Sequence, residues 1–175
     1  MSTKCRYQIC LYKESFHFSS AHFVIYSKER RELLHGHNYA VRLKLSTNTL
    51  EQDMVLDFDD LKPLIKQLCS SLDHKTLLPT YNRELSIVED PLYAANFLLK
   101  VGESSFSLPK HDTLLLPLPN ITAERLAAYI GEELIKLLSK MSVAAHLFAN
   151  SESSLAIEVE ESLGQSATAT FQLTS

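Results

Sequence analysis

An alternating run in the first third of the chain constrains the fold most strongly. Residues 39–46 alternate between apolar side chains and side chains that are small, polar or charged, and residues 5–18 do so more loosely. A period of two places the apolar side chains on one face of a β-strand. The charged segment 27–32 breaks this pattern and is predicted to be a loop. We therefore expect two half-buried strands joined as a long hairpin.

Two later segments have a helical pattern. Apolar residues recur every three or four positions after Asp57 and again after Thr122. Asp57 favours the positive end of the first helix, and Thr122 has the side chain of an N-cap for the second. Residues 144–148, 155–160 and 166–173 are predicted to be further strands. The order strand, strand, helix, helix, strand, strand predicts an α+β fold with both helices on one face of an antiparallel sheet.

Length and composition predict one domain that spans residues 1–175. The chain has 175 residues and 45% hydrophobic content, which is enough for a core of its own. Residues 80–119 interrupt the pattern, because several prolines separate short apolar runs there. We interpret this region as an insertion that contains a hairpin.

The charge pattern disfavours two classes of partner. The formal net charge is −4, and the 17 Lys and Arg residues are scattered rather than gathered into a basic patch, so no nucleic-acid partner is predicted. The first residues have no apolar signal core, and no run of about 18 apolar residues occurs, so no membrane partner is predicted. The expected location is the cytoplasm.

Three histidines form a candidate metal site. His35 and His37 lie two positions apart at the start of the predicted second strand, so both side chains project from one face. His22 lies near the end of the first strand, opposite them in a hairpin. Three neutral imidazoles that leave a fourth position open suit catalytic Zn²⁺. Because His-x-His pairs also occur on solvated strands, the spacing alone leaves a role without metal open.

Asp73 and His74 follow the first predicted helix directly. An adjacent carboxylate and imidazole can orient one another and transfer a proton near neutral pH. They can equally form a helix-end turn in which a charged histidine interacts with the helix dipole. The two residues alone leave both interpretations open.

Six short motifs extend this picture. They are Phe16-His-Phe-Ser-Ser-Ala-His22, His35-Gly-His-Asn-Tyr39, Met54-Val-Leu-Asp-Phe58 with Leu61-Lys62, Leu72-Asp-His-Lys75, Thr122-Ala-Glu124 and Val159-Glu-Glu-Ser162. Their identity and order resemble the 6-pyruvoyltetrahydropterin synthase and 6-carboxytetrahydropterin synthase family across residues 16–79 and 120–173.

The resemblance implies a T-fold (tunnelling fold), whose subunits join their sheets into a trimer that is often stacked as a hexamer. It also implies a reduced pterin as the small-molecule substrate and active sites between subunits. His22, His35 and His37 match the zinc ligands, and Asp73 and His74 match the proton-transfer pair. Glu161 matches the carboxylate that anchors the pterin, a role that suits its two acceptor oxygens. Spacing alone would make Glu161 only a charged residue at a strand end.

One departure from the family pattern concerns the catalytic base. Members that make the pyruvoyl or carboxy product carry a catalytic cysteine shortly before His-Gly-His, whereas this loop reads Glu29-Arg-Arg-Glu-Leu-Leu34. Cys5, Cys10 and Cys69 lie elsewhere and are interpreted as reduced, mostly buried thiols. Glu32, or alternatively Glu29, is then the candidate base, provided that the pocket raises its pKa towards neutrality. The competing interpretation is a solvated charged loop.

The resemblance is strongest to a branch in which glutamate replaces that cysteine. Such enzymes are lyases that cleave the side chain of 7,8-dihydroneopterin triphosphate to give 6-hydroxymethyl-7,8-dihydropterin for folate. A first alternative is a 6-pyruvoyltetrahydropterin or 6-carboxytetrahydropterin synthase of a tetrahydrobiopterin or queuosine pathway. A second alternative is a pterin- or purine-binding protein without catalytic activity.

Overall fold

A computed structural model describes residues 5–174, and in this range the chain forms ten strands and three α-helices. The strands are β1 Tyr7–Leu11, β2 His17–His22, β3 His35–Thr47, β4 Lys75–Pro79, β5 Ser86–Glu89, β6 Asn96–Val101, β7 Ser104–Pro109, β8 Thr113–Leu116, β9 Ser154–Ser162 and β10 Gln165–Gln172. The helices are α1 Phe58–Leu72, α2 Ala123–Leu138 and α3 Ala145–Phe148.

Seven of the strands form the main sheet, in the order β10-β9-β3-β2-β4-β8, with β1 paired to the second half of β3. The predicted hairpin is present as β2 and β3, but the predicted first strand is two strands, since the chain turns at Phe16, whose N–H donates to the Lys13 carbonyl. The sheet is antiparallel from β10 to β2. At the other edge β4 pairs parallel to β2, and β8 pairs parallel to β4.

The two long helices begin where the sequence predicts. The Asp57 carboxylate accepts the Asp59 N–H at 2.8 Å at the start of α1, and the Thr122 hydroxyl accepts the Arg125 N–H at the start of α2. Both bury an apolar face in the main core. None of the helices in the described range is long and apolar enough to cross a bilayer.

The prediction of a strand at residues 144–148 is wrong. A 3₁₀ turn, Ser142–Ala144, leads into α3 there. Ala144 and Leu147, three positions apart, are the buried residues, so this short segment has the helical period that the sequence analysis missed.

The region after β4 forms a second sheet rather than a hairpin. Strands β5, β6 and β7 pair antiparallel and form a sheet separate from the main one. Residues of this inserted sheet form a second apolar cluster with Leu78 of β4 and with the β2–β3 loop residues Phe23 and Ile25. Residues 113–116, predicted to be part of the insertion, are β8 of the main sheet.

Candidate metal centre and active site

The register between β2 and β3 brings the three predicted metal ligands together. His22 lies directly opposite His35, and Ser20 lies opposite His37, so the three imidazoles project from one face of the sheet. One ligand atom from each of the three histidines lies within 4.8 Å of the others. The structure therefore provides a cluster that one ion can bridge.

Hydrogen bonds fix the orientation of two of these rings. His22 Nδ1 lies 3.0 Å from the Ile121 carbonyl and His35 Nδ1 lies 2.7 Å from the Leu33 carbonyl, so each Nδ1–H donates and each Nε2 keeps its lone pair. His22 is 1% exposed, and burial lowers its pKa although the Ile121 carbonyl and Glu161 raise it. Within the described residues, the buried His22 Nε2 has no hydrogen-bond partner. A buried nitrogen with a free lone pair and no hydrogen-bond partner is a suitable ligand for a divalent metal ion.

Glu161 reaches the same cluster from β9. Its Oε1 lies 3.2 Å from His22 Nε2, outside hydrogen-bonding geometry, and 3.7 Å from His37 Nε2. The hydroxyl of the fully buried Tyr39 donates to the same oxygen at 3.2 Å. Burial and the charge of Glu161 raise the pKa of Tyr39 strongly, so the phenol remains a proton donor. The protonated Tyr39 hydroxyl therefore holds the Glu161 carboxylate beside the histidines.

Glu32 also faces the cluster. Its Oε2 accepts the Val24 N–H at 3.0 Å, and its Oε1 accepts the Tyr26 hydroxyl at 2.8 Å. Partial burial raises the pKa of Glu32, but these two hydrogen bonds outweigh it and the net pKa is lower than usual. The expectation that the pocket raises this pKa is wrong for the single chain. Glu29 is exposed and its carboxylate accepts the Ser27 hydroxyl instead.

One cavity is lined by several of these groups. It has a volume of about 360 Å³, which falls within the range of small-molecule sites. Its wall includes two of the histidines and both acidic candidates: His22, His35, Glu32 and Glu161. The N-terminus of α2 closes one side.

Asp73 and His74 contact one another but lie outside this cavity. Asp73 accepts the Ser19 N–H at 2.7 Å, and its other oxygen lies 2.8 Å from His74 Nδ1. The Ser19 N–H and His74 lower the pKa of Asp73. His74 has a left-handed backbone, with φ of 56°, and its side chain is 83% exposed. It lines a second depression with Ser19, Asn38 and His37, whereas His22, His35, Glu32 and Glu161 line the first cavity and not this one.

Comparison with known proteins identifies the family of this chain. The family model for 6-pyruvoyl tetrahydropterin synthase matches residues 10–170, which is nearly the whole chain. The chain belongs to the 6-pyruvoyl tetrahydropterin synthase family. A Methanocaldococcus jannaschii protein provisionally named 6-carboxy-5,6,7,8-tetrahydropterin synthase is 33% identical over 151 residues, which cover 86% of each chain.

Solved structures of this family have the same architecture. The 6-pyruvoyl tetrahydropterin synthase of Plasmodium vivax is 31% identical with a TM-score of 0.83, and the match covers 96% of this chain and 99% of that one. The Plasmodium falciparum enzyme is 31% identical with a TM-score of 0.84, over 95% and 98% of the two chains. These matches confirm the predicted T-fold. The Plasmodium vivax protein has also been solved with a glutamate, described as a catalytic residue, replaced by alanine or by cysteine.

The three thiols of this family member lie outside the cavity. Cys5 and Cys10 are exposed, so the prediction of mostly buried thiols is wrong, and Cys69 is buried in α1. Burial and the nearby charge of Asp73 raise the pKa of Cys69 to about 12. No cysteine lines the cavity that Glu32 lines.

The sequence analysis missed two tyrosines of the site. Tyr39 follows the histidines at the same period of two, so the alternation that identified His35 and His37 also places Tyr39 on their face. Tyr26 gives no comparable signal, because it reaches Glu32 through a turn in a charged loop.

Proposed function

We propose that this family member is a zinc-dependent lyase that cleaves the side chain of 7,8-dihydroneopterin triphosphate and releases 6-hydroxymethyl-7,8-dihydropterin. The observation that carries the proposal is the Glu32 carboxylate in the cavity that His22 and His35 line, where the pyruvoyl- and carboxy-forming members have a cysteine. A glutamate is also described as catalytic in the Plasmodium vivax relative. The folate branch is therefore the best-supported product class.

The proposed metal ligands are His22, His35 and His37. Three clustered imidazoles match the ligand set of catalytic zinc sites, and the buried His22 Nε2 without a hydrogen-bond partner supports this assignment. When bound, zinc would supply Lewis-acid charge that makes the hydroxyls of the substrate side chain more acidic.

The residues around the cavity then have separate roles. Glu161, held by the Tyr39 hydroxyl, accepts the paired N–H donors of the pterin edge and orients the ring. Glu32 removes the proton from the hydroxyl on C2′ of the side chain. The C1′–C2′ bond breaks, C2′ becomes an aldehyde that keeps the triphosphate, and the electron pair passes to C1′ and the ring. A proton returned to C1′ completes the hydroxymethyl product.

We assign the returned proton to an Asp73–His74 pair contributed by a neighbouring copy of the chain. In the single chain His74 lines a separate depression, which includes His37 but neither Glu32 nor Glu161, so one subunit does not gather all the groups in one cavity. Strands β8 and β10 end the main sheet and each pairs on one side only within the described residues. Such edges can join copies into the trimer or hexamer that the family resemblance implies.

The second candidate is a 6-carboxytetrahydropterin or 6-pyruvoyltetrahydropterin synthase. The name of the Methanocaldococcus jannaschii relative favours the first of these and the names of the Plasmodium structures favour the second, whereas the missing loop cysteine disfavours both. Incubation of the purified, zinc-loaded protein with 7,8-dihydroneopterin triphosphate and mass spectrometry of the pterins separates the possibilities. We expect 6-hydroxymethyl-7,8-dihydropterin. A pyruvoyl or carboxy product would identify the second candidate, and unchanged substrate would identify a binding protein without turnover.

Glu161→Gln should raise KM for the pterin about 10- to 100-fold without changing the product, because a charged hydrogen bond contributes roughly 1.5–3 kcal/mol. Steady-state kinetics measure this change. Glu160→Gln is the matched control, since Glu160 is the preceding residue of β9 and pairs with Arg42 on the other face. Equal KM values in the two variants would remove Glu161 from pterin binding.

A further inference from the structure

The segment that carries Glu32 is a small hairpin of its own, residues 23–32, which we call the Glu32 hairpin. The Glu32 N–H donates to the Val24 carbonyl at 2.9 Å, and the Tyr26 N–H donates to the Arg30 carbonyl at 2.9 Å. A bridge pairs Ile25 with Arg31. The position of the Glu32 carboxylate therefore depends on where this hairpin lies as a unit.

The Glu32 hairpin has two faces because side chains alternate along it. One face lines the metal cavity and carries Val24, Tyr26 and Glu32. The other face points to the inserted sheet, where Phe23 and Ile25 belong to an apolar cluster with Leu99 and Val101 of β6, Leu85 before β5 and Leu78 of β4. The inserted sheet thus forms the surface on which the rear of the Glu32 hairpin packs.

Arg31 connects the two units directly. Its guanidinium lies 4.7 Å from the ring centre of Phe106 on β7 and 5.7 Å from that of Phe23. One terminal nitrogen donates to the Ser104 hydroxyl of β7 at 3.1 Å, and the other donates to the backbone carbonyl of Glu32 at 2.6 Å. The rigid planar fork of arginine thereby joins the inserted sheet to the backbone of the proposed base.

A second contact fixes the far end of the Glu32 hairpin. Gly102, in the turn between β6 and β7, approaches it so closely that a Cβ there would lie 2.2 Å from the Lys28 carbonyl oxygen. Its φ of +53° also favours glycine. The inserted sheet therefore contacts the Glu32 hairpin both beside the base and at its tip.

We propose that the inserted sheet β5–β7 acts as a scaffold for the catalytic base, and that Arg31 is the positioning residue that transmits its support to Glu32. This inference rests on the proposed role of Glu32. Misplacement of a base by about 1 Å can lower a rate about 100-fold, so a scaffold on the rear face is enough to affect turnover. Arg31 itself is not among the residues that line the cavity.

The test compares Arg31→Ala and Arg31→Lys with the unaltered zinc-loaded protein. Hydrogen exchange, followed by mass spectrometry without substrate, should show at least 10-fold faster exchange in residues 23–32 of Arg31→Ala. In turnover assays kcat should fall about 100-fold with KM and zinc content unchanged. Arg31→Lys should recover only a small part of this loss, because an ammonium group lacks the planar fork. Lys100→Ala, which removes an exposed cation of β6, is the control without effect.

A double-mutant cycle separates positioning from general damage. In single-turnover assays, Arg31→Ala should cost little further activity when Glu32 is already glutamine. An equal loss in both backgrounds, or unchanged exchange in residues 23–32, would overturn the proposal. If Arg31→Ala fails to fold, Ser104→Ala and Gly102→Ala carry the same exchange test from the inserted sheet. Because exchange is measured without substrate, its result is independent of whether the chain cleaves a pterin, which the incubation with 7,8-dihydroneopterin triphosphate tests.

Discussion

Glu32→Gln should lower kcat about 100- to 10,000-fold and leave zinc binding and the fold intact, because a general base contributes a factor of this size. Glutamine is the informative replacement. Its amide oxygen can still accept the Val24 N–H, and its amide N–H can donate to the Tyr26 hydroxyl, so both contacts of the native side chain are retained. Only the ability to take a proton is lost.

The measurement is kcat with 7,8-dihydroneopterin triphosphate, together with zinc per chain by atomic spectroscopy. Glu29→Gln is the competing variant, since Glu29 was the alternative base from the sequence. The Glu29 carboxylate contacts Ser27 rather than the cavity, so we expect kcat to fall in Glu32→Gln and not in Glu29→Gln. A larger loss in Glu29→Gln would transfer the role to that residue, and full activity in both variants would exclude a loop carboxylate as base.

The low pKa of Glu32 adds a condition to this mechanism. The Val24 N–H and the Tyr26 hydroxyl both stabilise the ionised form, so Glu32 is ready to accept a proton at neutral pH but is a weak base. A weak base needs an acidic substrate hydroxyl, which a metal ion at the three histidines would provide. The low pKa of Glu32 and the proposed metal site are therefore complementary.

The sequence predicts those parts of the site that follow from strand geometry. His35 and His37 share a face because they are two positions apart, and His22 faces His35 because the hairpin pairs their ends. Both long helices were also predictable, because Asp57 and Thr122 cap them through local hydrogen bonds. Information of this kind is contained within short segments of the sequence or in the pairing of two neighbouring strands.

Contacts between distant segments could not be predicted from the sequence. The Asp73–His74 pair lies outside the metal cavity because β4 pairs parallel with β2, and no local pattern encodes this pairing. Similarly, the sequence alone places Arg31 in a solvated charged loop. In the structure Arg31 contacts Ser104 and Phe106, which lie 73 and 75 positions later in the chain. The inserted sheet was missed as a scaffold for the same reason.

The effect of zinc on stability tests the metal centre without substrate. Zinc at 100 times its Kd should stabilise the folded chain by about 2.7 kcal/mol, because the unfolded chain does not hold the three imidazoles together. For a chain of this size that corresponds to a rise in Tm of roughly 5–11 °C over the chelated protein.

His35→Gln should abolish most of this rise in Tm. His35 is the suitable ligand to replace, since it is only half-buried, whereas His22 is buried against the Ile121 carbonyl and its loss would damage the fold as well. His111→Gln, which alters an exposed histidine in the 3₁₀ turn Lys110–Asp112, is the matched control and should keep the full rise. Differential scanning calorimetry with zinc and with chelator measures all three proteins. If His35→Gln gained as much stability from zinc as the unaltered chain, the ion would bind elsewhere and the Lewis-acid part of the mechanism would fail.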